Sequence, residues 1–208
     1  MYKNFTKRTI DFILALLGMF LLSPIFIIVS ISLFFANQGK PFFFQIRPGK
    51  NGKIFTIVKF KTMNDKMDDS GNLLPDMNRL TKIGVIVRKT SLDEIPQLIN
   101  VIRGEMSLIG PRPLLIRYLP FYTEKERLRH TVRPGITGLA QINGRNTLKW
   151  DERLALDVDY VESLSLIEDL KILYKTVLKV ILSENILINP KSIMKDLDEE
   201  RKNRNSTI

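Results

Sequence analysis

The sequence of 208 residues contains no cysteine and only one histidine, His130. Without cysteine the chain can form no disulfide, no thiolate nucleophile and no Cys-ligated zinc site. A single histidine excludes a metal cage or a relay built from several histidines, and we expect His130 to be a surface residue. Any acid–base or nucleophilic chemistry must therefore rest mainly on carboxylates, hydroxyls, lysine or arginine.

Acidic residues are also in the minority, since 22 Asp and Glu oppose 32 Lys and Arg to give a net charge of +10. This balance favours an anionic partner, which could be nucleic acid, a phosphorylated substrate or an anionic membrane. Nucleic acid is the weakest of the three, because the sequence shows neither a helix-turn-helix nor an aromatic–basic RNA-binding pattern. The length predicts one globular domain with a small appendage.

The N-terminal region carries a run of 25 uncharged, mostly apolar residues, 12–36. It exceeds the ~20 residues that a bilayer helix needs and the ~7–15 residues of a signal-peptide core. Ser23 and Pro24 predict a kink, because proline lacks a donor and serine can bond a carbonyl of the preceding turn. Lys7 and Arg8 precede the run and further basic residues follow it, so both flanks favour the cytoplasm. A bent, re-entrant helix satisfies both flanks, and a proline-kinked spanning helix is the alternative.

The remainder of the chain divides into a domain over residues 37–190 and a charged, flexible tail over 191–208. Two aromatic and β-branched segments, 42–47 and 54–63, flank a turn-forming stretch and predict a β-hairpin. The predicted fold class is α+β, mainly helical with this small hairpin.

Other segments of the domain have less distinctive patterns. Residues 64–79 are polar and predict a loop, and a strand or short helix follows at 83–87. Residues 114–122 and 170–188 are apolar with basic insertions, typical of surface amphipathic helices. For 170–188 we favour a helix that packs on the core with a solvated lysine face over one that lies on a membrane.

One adjacent carboxylate pair, Asp93 and Glu94, lies among basic and Pro/Gly-rich segments. Ser91 and Glu94 match a capping box, but Pro96 fits the first helical turn only if Asp93 is the cap, which we prefer. A helix N-terminus would lower the pKa of the aspartate and attract phosphate. Such a carboxylate can bind Mg²⁺ or attack phosphorus, and plain helix capping is the alternative.

Three turns place an arginine beside proline or glycine, at 110–113, 133–138 and 141–146. The prolines that flank Arg112 stiffen it for a bidentate phosphate contact, and the glycines allow a ligand to approach the backbone closely. No Walker-type or dinucleotide-type phosphate loop is present.

The ordered set of motifs resembles the bacterial sugar transferase family, the monotopic polyprenyl-phosphate phosphoglycosyl transferases, over about residues 1–175. The segments that carry the resemblance are Lys59–Met63, Arg88–Val101, Gly104–Pro113, Arg133–Gly138 and Asn143–Arg145. Lys61 stands where the family often has arginine, which is a mild departure. The short length resembles the minimal single-domain members, which use UDP-N,N′-diacetylbacillosamine and begin N-linked protein glycosylation.

The resemblance implies an activity and a mechanism. Sugar 1-phosphate would pass from a UDP-sugar to undecaprenyl phosphate with release of UMP, through a covalent intermediate on Asp93. The resemblance also implies Mg²⁺ close to Asp93 and Glu94. In the family a Ser-Pro break makes the membrane helix re-entrant, which corresponds to Ser23-Pro24 here and favours that topology over a spanning helix.

The residues expected to bind phosphate or substrate are Lys59, Arg88, Arg112, Gln141 and Arg145. The enzyme would lie on the cytoplasmic face of the bacterial inner membrane, seated on anionic headgroups by its basic surface and residues 114–122, with no nucleic-acid partner. A homodimer is compatible with the sequence. The alternatives are the same reaction with UDP-N-acetylgalactosamine, UDP-galactose or another UDP-sugar, a glycosyltransferase that releases UDP, and a membrane-anchored scaffold.

Overall fold

The computed structural model describes residues 2–144, 147–182 and 196–205. Its helices are α1 (Lys7–Leu21), α2 (Ser23–Ala36), α3 (Asp76–Arg79), α4 (Lys82–Lys89), α5 (Gln97–Arg103), α6 (Glu124–Arg127), α7 (Leu139–Asn143), α8 (Trp150–Ser163), α9 (Leu166–Ile181) and α10 (Leu197–Asn205). The strands are β1 (Phe42–Pro48), β2 (Ile54–Phe60), β3 (Ser107–Ile109) and β4 (Gly135–Thr137). The predicted α+β class, with helices in the majority, is confirmed.

The predicted hairpin is the antiparallel pair of β1 and β2, which runs from Phe42 opposite Phe60 to Pro48 opposite Ile54. The rings of Phe42 and Phe60 stack with centroids 5.5 Å apart, so the open end of the hairpin packs on itself. Fully buried Asn100 fixes β2 to α5, because its amide donates to Thr56 O at 2.7 Å and accepts from Val58 N at 3.1 Å. This clamp places the next residue of β2, Lys59, near the start of α5.

The N-terminal helix breaks where the sequence predicts. Helices α1 and α2 meet at Leu22 with a bend of 63°. The Ser23 hydroxyl donates to Phe20 O at 2.7 Å, the predicted bond to the preceding turn, and Pro24 lies in the first turn of α2. Within the described ranges no single helix has the length and hydropathy to cross a bilayer, and α1 with α2 reaches them only as a bent pair.

Basic side chains fix α1 to the rest of the protein. Buried Lys7 forms an ion pair with Asp169 of α9 at 2.6 Å. The Arg8 guanidinium donates to the carbonyls of Val101 and Ile102, at 2.6 and 2.8 Å, in the last turn of α5. Both residues are therefore engaged by the domain, although the sequence presents them as a basic flank of the apolar run.

Most apolar side chains of the bent pair are not covered by protein. Only Ala15, Val29 and Leu33 are buried apolar positions of α1 and α2. Thirteen large apolar side chains are exposed, namely Phe12, Ile13, Leu14, Leu16, Leu17, Phe20, Leu21, Ile25, Ile27, Ile28, Ile31, Phe34 and Phe35. An apolar area of this extent is typical of a protein or membrane interface.

Helix α9 matches in part the core-packed helix that we favour from sequence. It buries Ile172 completely. It exposes several large apolar side chains, at Leu166, Ile167, Leu170, Tyr174, Val177 and Leu178, alongside exposed Lys171. The predicted core contact and solvated lysine are therefore observed, whereas the exposed apolar side chains beside them were not predicted. Residues 183–188 of the predicted segment lie outside the described ranges.

Residues 114–122 also depart from the expected amphipathic surface helix. They contain a 3₁₀ segment, Ile116–Phe121, and bury Leu114, Tyr118 and Tyr122 in a cluster with Trp150. Further upstream, the predicted loop 64–79 ends in the short helix α3, and 83–87 belongs to helix α4.

The predicted flexible tail, residues 191–208, lies partly outside the described ranges, but its described part forms α10. Leu197 is fully buried beside Tyr118. Arg201 makes a bidentate pair with Glu126 at 2.6 and 2.7 Å. The charged composition did not indicate that Leu197 is buried and that Arg201 forms an ion pair, and both residues attach this helix to the domain.

Two of the arginine-bearing turns meet at the short parallel strands β3 and β4. Gly110 N donates to Thr137 O at 2.9 Å, and Gly135 N donates to Pro111 O at 3.0 Å. A Cβ on Gly135 would lie 2.1 Å from Gly110 N, so the two backbones can cross only if this residue is glycine. Arg112, in the segment that follows this crossing, contacts Glu94 at 2.6 Å.

Candidate active site

A cavity of about 570 Å³ opens between β2, α4, the turn before α5, α7, α8 and α9. Six of the seven predicted catalytic and substrate-binding residues line it, namely Lys59, Arg88, Asp93, Glu94, Arg112 and Gln141. Arg145 lies outside the described ranges. The structure therefore brings together residues that are spread over more than eighty positions of the sequence.

The carboxylate pair does not cap a helix in the predicted way. Asp93 and Glu94 lie in a 3₁₀ turn, Leu92–Glu94, and α5 begins only at Gln97. Neither Ser91 nor Asp93 accepts a capping hydrogen bond, and Ser91 adopts a left-handed conformation with φ of 56°. This turn, rather than a helix N-terminus, directs both carboxylates into the cavity.

Glu94 is held by two cations. Its Oε1 accepts from Lys59 Nζ at 2.7 Å and from an Arg112 terminal nitrogen at 2.6 Å, and its side chain is only 19% exposed. Burial by itself would raise the pKa of Glu94, but the charges of Arg112 and Lys59 outweigh it and hold the pKa well below the ordinary range. Glu94 is therefore a fixed negative charge at neutral pH.

Asp93 is in a different environment. The nearest cation is Lys59 Nζ at 3.9 Å, and the side chain is 18% exposed. Burial and the adjacent charge of Glu94 raise the pKa of Asp93 to about 6, with Lys59, Arg112 and Arg88 opposing the rise. The direction is opposite to our prediction, because the carboxylate is buried and lies beside a second one instead of at a helix N-terminus. Asp93 is ionised above this pH. It has no close ion pair that would lower its nucleophilicity.

The backbone of Arg112 is held by a buried ion pair, Arg129 with Asp157, that the sequence analysis did not predict. Arg129 donates to the Arg112 carbonyl at 2.6 Å and to Asp157 at 2.8 and 3.1 Å. The side chains of Arg129 and Asp157 are each 2% exposed, so the pair is shielded from water. The two residues are 28 positions apart with no shared motif, and no sequence pattern could have paired them.

Two more arginines line the cavity without having been predicted as site residues. Arg47 comes from the end of β1, and burial lowers its pKa to about 10. Arg153 comes from the first turn of α8, where its guanidinium lies 4.7 Å from the centroid of the Trp150 ring. Together with Lys59, Arg88 and Arg112 they bring five cationic side chains to the lining, which also contains four carboxylates, and guanidinium groups suit a diphosphate.

The part of the lining contributed by β4, α7 and α9 is uncharged. Thr137 and Thr176 share a hydrogen bond of 2.8 Å between their hydroxyls, and Ile136 and Ala140 add apolar surface. Gln141 is 8% exposed, and neither its amide nitrogen nor its amide oxygen has a hydrogen-bond partner.

His130 is neither on the open surface nor in the cavity lining. Its ring is half-buried, with Nδ1 3.4 Å from Gly49 O and the ring centroid 5.6 Å from that of Tyr122. Burial and the charge of Arg129 lower the pKa of His130 to about 4, so it is neutral at pH 7. It has no contact with the carboxylate pair.

No group of three or more potential metal ligands of the His, Cys, Asp or Glu type occurs among the described residues. Four carboxylates line the cavity: Asp93 and Glu94 are adjacent, Asp157 pairs with Arg129, and Asp76 pairs with Arg79. One or two carboxylates suffice for Mg²⁺ when substrate phosphates and water complete its shell. The donor set therefore fits a magnesium ion that arrives with a phosphate.

Comparison of the sequence with known proteins identifies a family and several relatives. The model of the bacterial sugar transferase family matches residues 2–183. The chain is 54% identical over 183 residues to the uncharacterized sugar transferase EpsL of Bacillus subtilis, which covers 86% of this chain and 89% of the relative. It is 39% identical over 195 residues to the exopolysaccharide production protein ExoY of Sinorhizobium fredii, covering 86% of each.

A third relative has a name that states a reaction. The chain is 36% identical over 189 residues to the UDP-glucose:undecaprenyl-phosphate glucose-1-phosphate transferase of Caulobacter vibrioides, which covers 86% of this chain and 71% of the relative.

Proposed function

Because the chain belongs to the bacterial sugar transferase family, we propose that it transfers a sugar 1-phosphate from a UDP-sugar to undecaprenyl phosphate and releases UMP. The observation that carries this proposal is a carboxylate pair inside a cavity lined by five cationic side chains, Arg47, Lys59, Arg88, Arg112 and Arg153. Both substrates are anionic and must meet an anionic nucleophile, so fixed cations have to offset the repulsion.

In the first step an ionised oxygen of Asp93 attacks the β-phosphorus of the UDP-sugar. A bond forms between that oxygen and the β-phosphorus, and the bond to the oxygen that bridges the two phosphates breaks. UMP leaves with the bridging oxygen and its electron pair, and the sugar phosphate stays on Asp93 as an acyl phosphate. The elevated pKa of Asp93, about 6, supports this role, because the carboxylate is ionised at neutral pH and is more basic than an ordinary aspartate.

In the second step a phosphate oxygen of undecaprenyl phosphate attacks the same phosphorus. The bond between phosphorus and Asp93 breaks, the carboxylate is restored, and the product is an undecaprenyl diphosphate sugar. Because Asp93 holds the sugar phosphate in between, one cationic cavity serves both anionic substrates in turn.

Magnesium is part of the proposal as cofactor. Asp93 and Glu94 would hold it together with substrate phosphate oxygens, and when bound it would neutralise charge on those phosphates. Lys59 and Arg112 orient Glu94. Arg47, Arg88, Arg145 and Arg153 are proposed to bind the phosphates.

We also propose that the enzyme is monotopic and lies on the cytoplasmic face of the inner membrane, with α1 and α2 dipping into one leaflet. The exposed apolar side chains of this pair support the proposal, and so does the 63° bend. Leu22, at the break between the two helices, lines the cavity. The polar end of a lipid substrate beside the break would therefore be near Asp93.

The identity of the sugar is the most specific part of the proposal. The resemblance to minimal family members favours UDP-N,N′-diacetylbacillosamine, for a pathway of protein glycosylation or of another glycoconjugate. The name of the Caulobacter relative favours UDP-glucose. A donor panel should contain both, together with UDP-galactose and UDP-N-acetylgalactosamine.

The test is the identity of the released nucleotide. Detergent-solubilised protein is mixed with each UDP-sugar, undecaprenyl phosphate and Mg²⁺, and nucleotides are separated by chromatography. We expect UMP, and none from Asp93→Asn, whereas Asp159→Asn, a change at an exposed position of α8, should behave like the wild type. Release of UDP would identify a glycosyltransferase, and neither nucleotide across the panel would favour the scaffold alternative.

A further inference from the structure

The lining of the cavity has a cationic part and an apolar part, which come from different elements. The cations come from the hairpin, α4, the Arg112 turn and α8. The break between α1 and α2, α5, β4, α7 and α9 contribute Leu22, Leu98, Ile136, Ala140 and Val180. We call these five residues the apolar wall. The proposed reaction steps use the cations and the carboxylate pair, and they leave the apolar wall without a role.

The members of the apolar wall are linked by contacts. Leu22 and Ile136 both pack against the core cluster to which α5 contributes. The residue after Ile136, Thr137, shares a hydrogen bond of 2.8 Å with Thr176 and so joins β4 to α9. Val180 lies one helical turn after Thr176, on the same face of α9. The wall is therefore one surface built from several elements, and each of these residues is uncharged.

One end of the apolar wall lies beside the carboxylate pair. Ile95, the residue after Glu94, lines the cavity, and Leu98 follows it in the first turn of α5. The core cluster contains both Ile95 and Leu98. The wall therefore begins where the turn that carries the proposed nucleophile ends.

At its other end the apolar wall meets the exposed apolar surface of the protein. Leu21, which precedes Leu22, is 65% exposed. Val177, in the turn of α9 before Val180, is 50% exposed. The wall thus connects the surface that suits a lipid environment with the carboxylates of the cavity.

Two substrates enter the cavity in the proposed reaction, and they differ in what adjoins their phosphates. In undecaprenyl phosphate the hydrocarbon begins at the carbon that carries the phosphate ester. In a UDP-sugar a sugar stands on one side of the diphosphate and a ribose on the other. Contact with an apolar surface favours hydrocarbon, because water is released from both. The same contact is unfavourable for sugar hydroxyls, because they lose hydrogen bonds to water.

We propose that the apolar wall is a subsite for the lipid acceptor and binds its first isoprenyl units. This inference rests on the proposed function, because it takes undecaprenyl phosphate as the ligand. The acceptor phosphate then reaches Asp93 from the side of the helix break, and the sugar phosphate is held by the cations. The two substrates share the reacting carboxylate but are recognised by different residues.

The experiment changes the apolar wall at two elements. Val180→Thr keeps the branched shape of the side chain but places a hydroxyl against the hydrocarbon, and Ile136→Thr does the same from β4. Val177→Thr is the matched control, since it makes the same change on α9 at an exposed position that does not line the cavity.

Two rates are measured on each full-length protein in mixed detergent micelles. Single-turnover release of UMP without acceptor reports the first step. Product formation at a series of undecaprenyl phosphate concentrations gives the KM for the acceptor. The first rate also shows that a variant is folded, because it requires the carboxylate pair and the cations.

We expect the KM for undecaprenyl phosphate to rise about tenfold in Val180→Thr and in Ile136→Thr, because the hydroxyl has no partner in hydrocarbon. Their release of UMP should equal that of the wild type. Val177→Thr should change neither value, which would show that weaker insertion into the micelle is not the cause.

An unchanged acceptor KM in either wall variant would overturn the inference. So would UMP release that slows as much as product formation, because the wall would then serve the donor or the fold. An equal rise of KM in Val177→Thr would also overturn it. A wild-type protein that releases no UMP from any donor would instead contradict the proposed function itself.

Discussion

At the scale of single residues, Asp93 and Glu94 are adjacent in sequence but have opposite electrostatic environments. Glu94 is ion-paired with Lys59 and Arg112, whereas Asp93 has no cation closer than 3.9 Å. Two neighbouring carboxylates whose pKa values are driven apart are suited to different roles. The ion-paired Glu94 is suited to act as a fixed negative charge, and Asp93 is suited to act as the nucleophile.

The raised pKa of Asp93 predicts the pH dependence of the first step. Only the ionised carboxylate attacks, so the rate of UMP release should fall about tenfold for each pH unit below about 6 and level off above it. Single-turnover release of UMP without undecaprenyl phosphate measures this, because the acceptor's own ionisation is then absent. A rate that is flat between pH 5 and 8 would contradict the assignment, and Asp159→Asn should reproduce the wild-type profile.

Glu94→Gln should leave the enzyme nearly inactive. The neutral amide removes the charge that Lys59 and Arg112 share, so both cations lose their common partner. Removal of one member of a buried charge network leaves the others uncompensated. A Mg²⁺ titration of the remaining activity should show an altered response. If Glu94→Gln had the turnover and the Mg²⁺ requirement of the wild type, Glu94 would have no role in catalysis.

The residues themselves show how far sequence reasoning reaches. The carboxylate pair and three of the cavity's cations, Lys59, Arg88 and Arg112, could be predicted, because their motifs are short and local, whereas Arg47 and Arg153 could not. The direction of the Asp93 pKa shift could not, since it depends on burial beside Glu94. The Arg129–Asp157 pair could not either, because its members meet only through the packing of α8 on the preceding turns.

At the scale of secondary structure, the break between α1 and α2 determines the course of the N-terminal segment. Serine and proline in the middle of an apolar run were sufficient to predict it, since both act on the backbone of their own helix. The attachment of Lys7 and Arg8 to α9 and α5 was not predictable, because those partners lie more than ninety residues away.

Pro24→Ala should straighten the bent pair, because the alanine restores a backbone donor and removes the ring clash. If the pair is re-entrant as proposed, an N-terminal tag should then move to the opposite face of the membrane. Accessibility of the tag to a membrane-impermeant protease in vesicles measures this. Ser30→Ala, which removes a similar hydroxyl–carbonyl bond within α2, is the control. A tag that stays cytoplasmic in Pro24→Ala would mean that Pro24 does not set the topology.

Helix α10 shows the limit of composition as a guide. Its sequence is highly charged, so we predicted a flexible end, yet Leu197 is fully buried beside Tyr118. Leu197→Ala should lower the free energy of unfolding by roughly 2–5 kcal/mol. Denaturant unfolding in detergent measures this, with exposed Glu199→Ala as a control that should change it little. Equal stabilities would show that α10 does not hold its position in solution.

At the scale of the whole molecule, the apolar and cationic features of the protein serve different parts of the proposed reaction. The exposed apolar surface of α1, α2 and α9 suits a lipid environment, and five cationic side chains line the cavity that holds Asp93 and Glu94. Leu22 belongs to both regions, because it joins α1 to α2 and also lines the cavity. The hairpin, the helical majority and six of the cavity residues could be predicted from the sequence, whereas the position of Leu22 beside the cavity depends on the assembled fold.

The central claim is that Asp93 carries the sugar phosphate between the two substrates. Intact-protein mass spectrometry after incubation with the best UDP-sugar and Mg²⁺, without undecaprenyl phosphate, tests it most directly. The account predicts a mass gain of one sugar phosphate on the wild type, lost on addition of undecaprenyl phosphate, and no gain on Asp93→Asn. UMP release and lipid product without any adduct on the wild type, or the same adduct on Asp93→Asn, would contradict it.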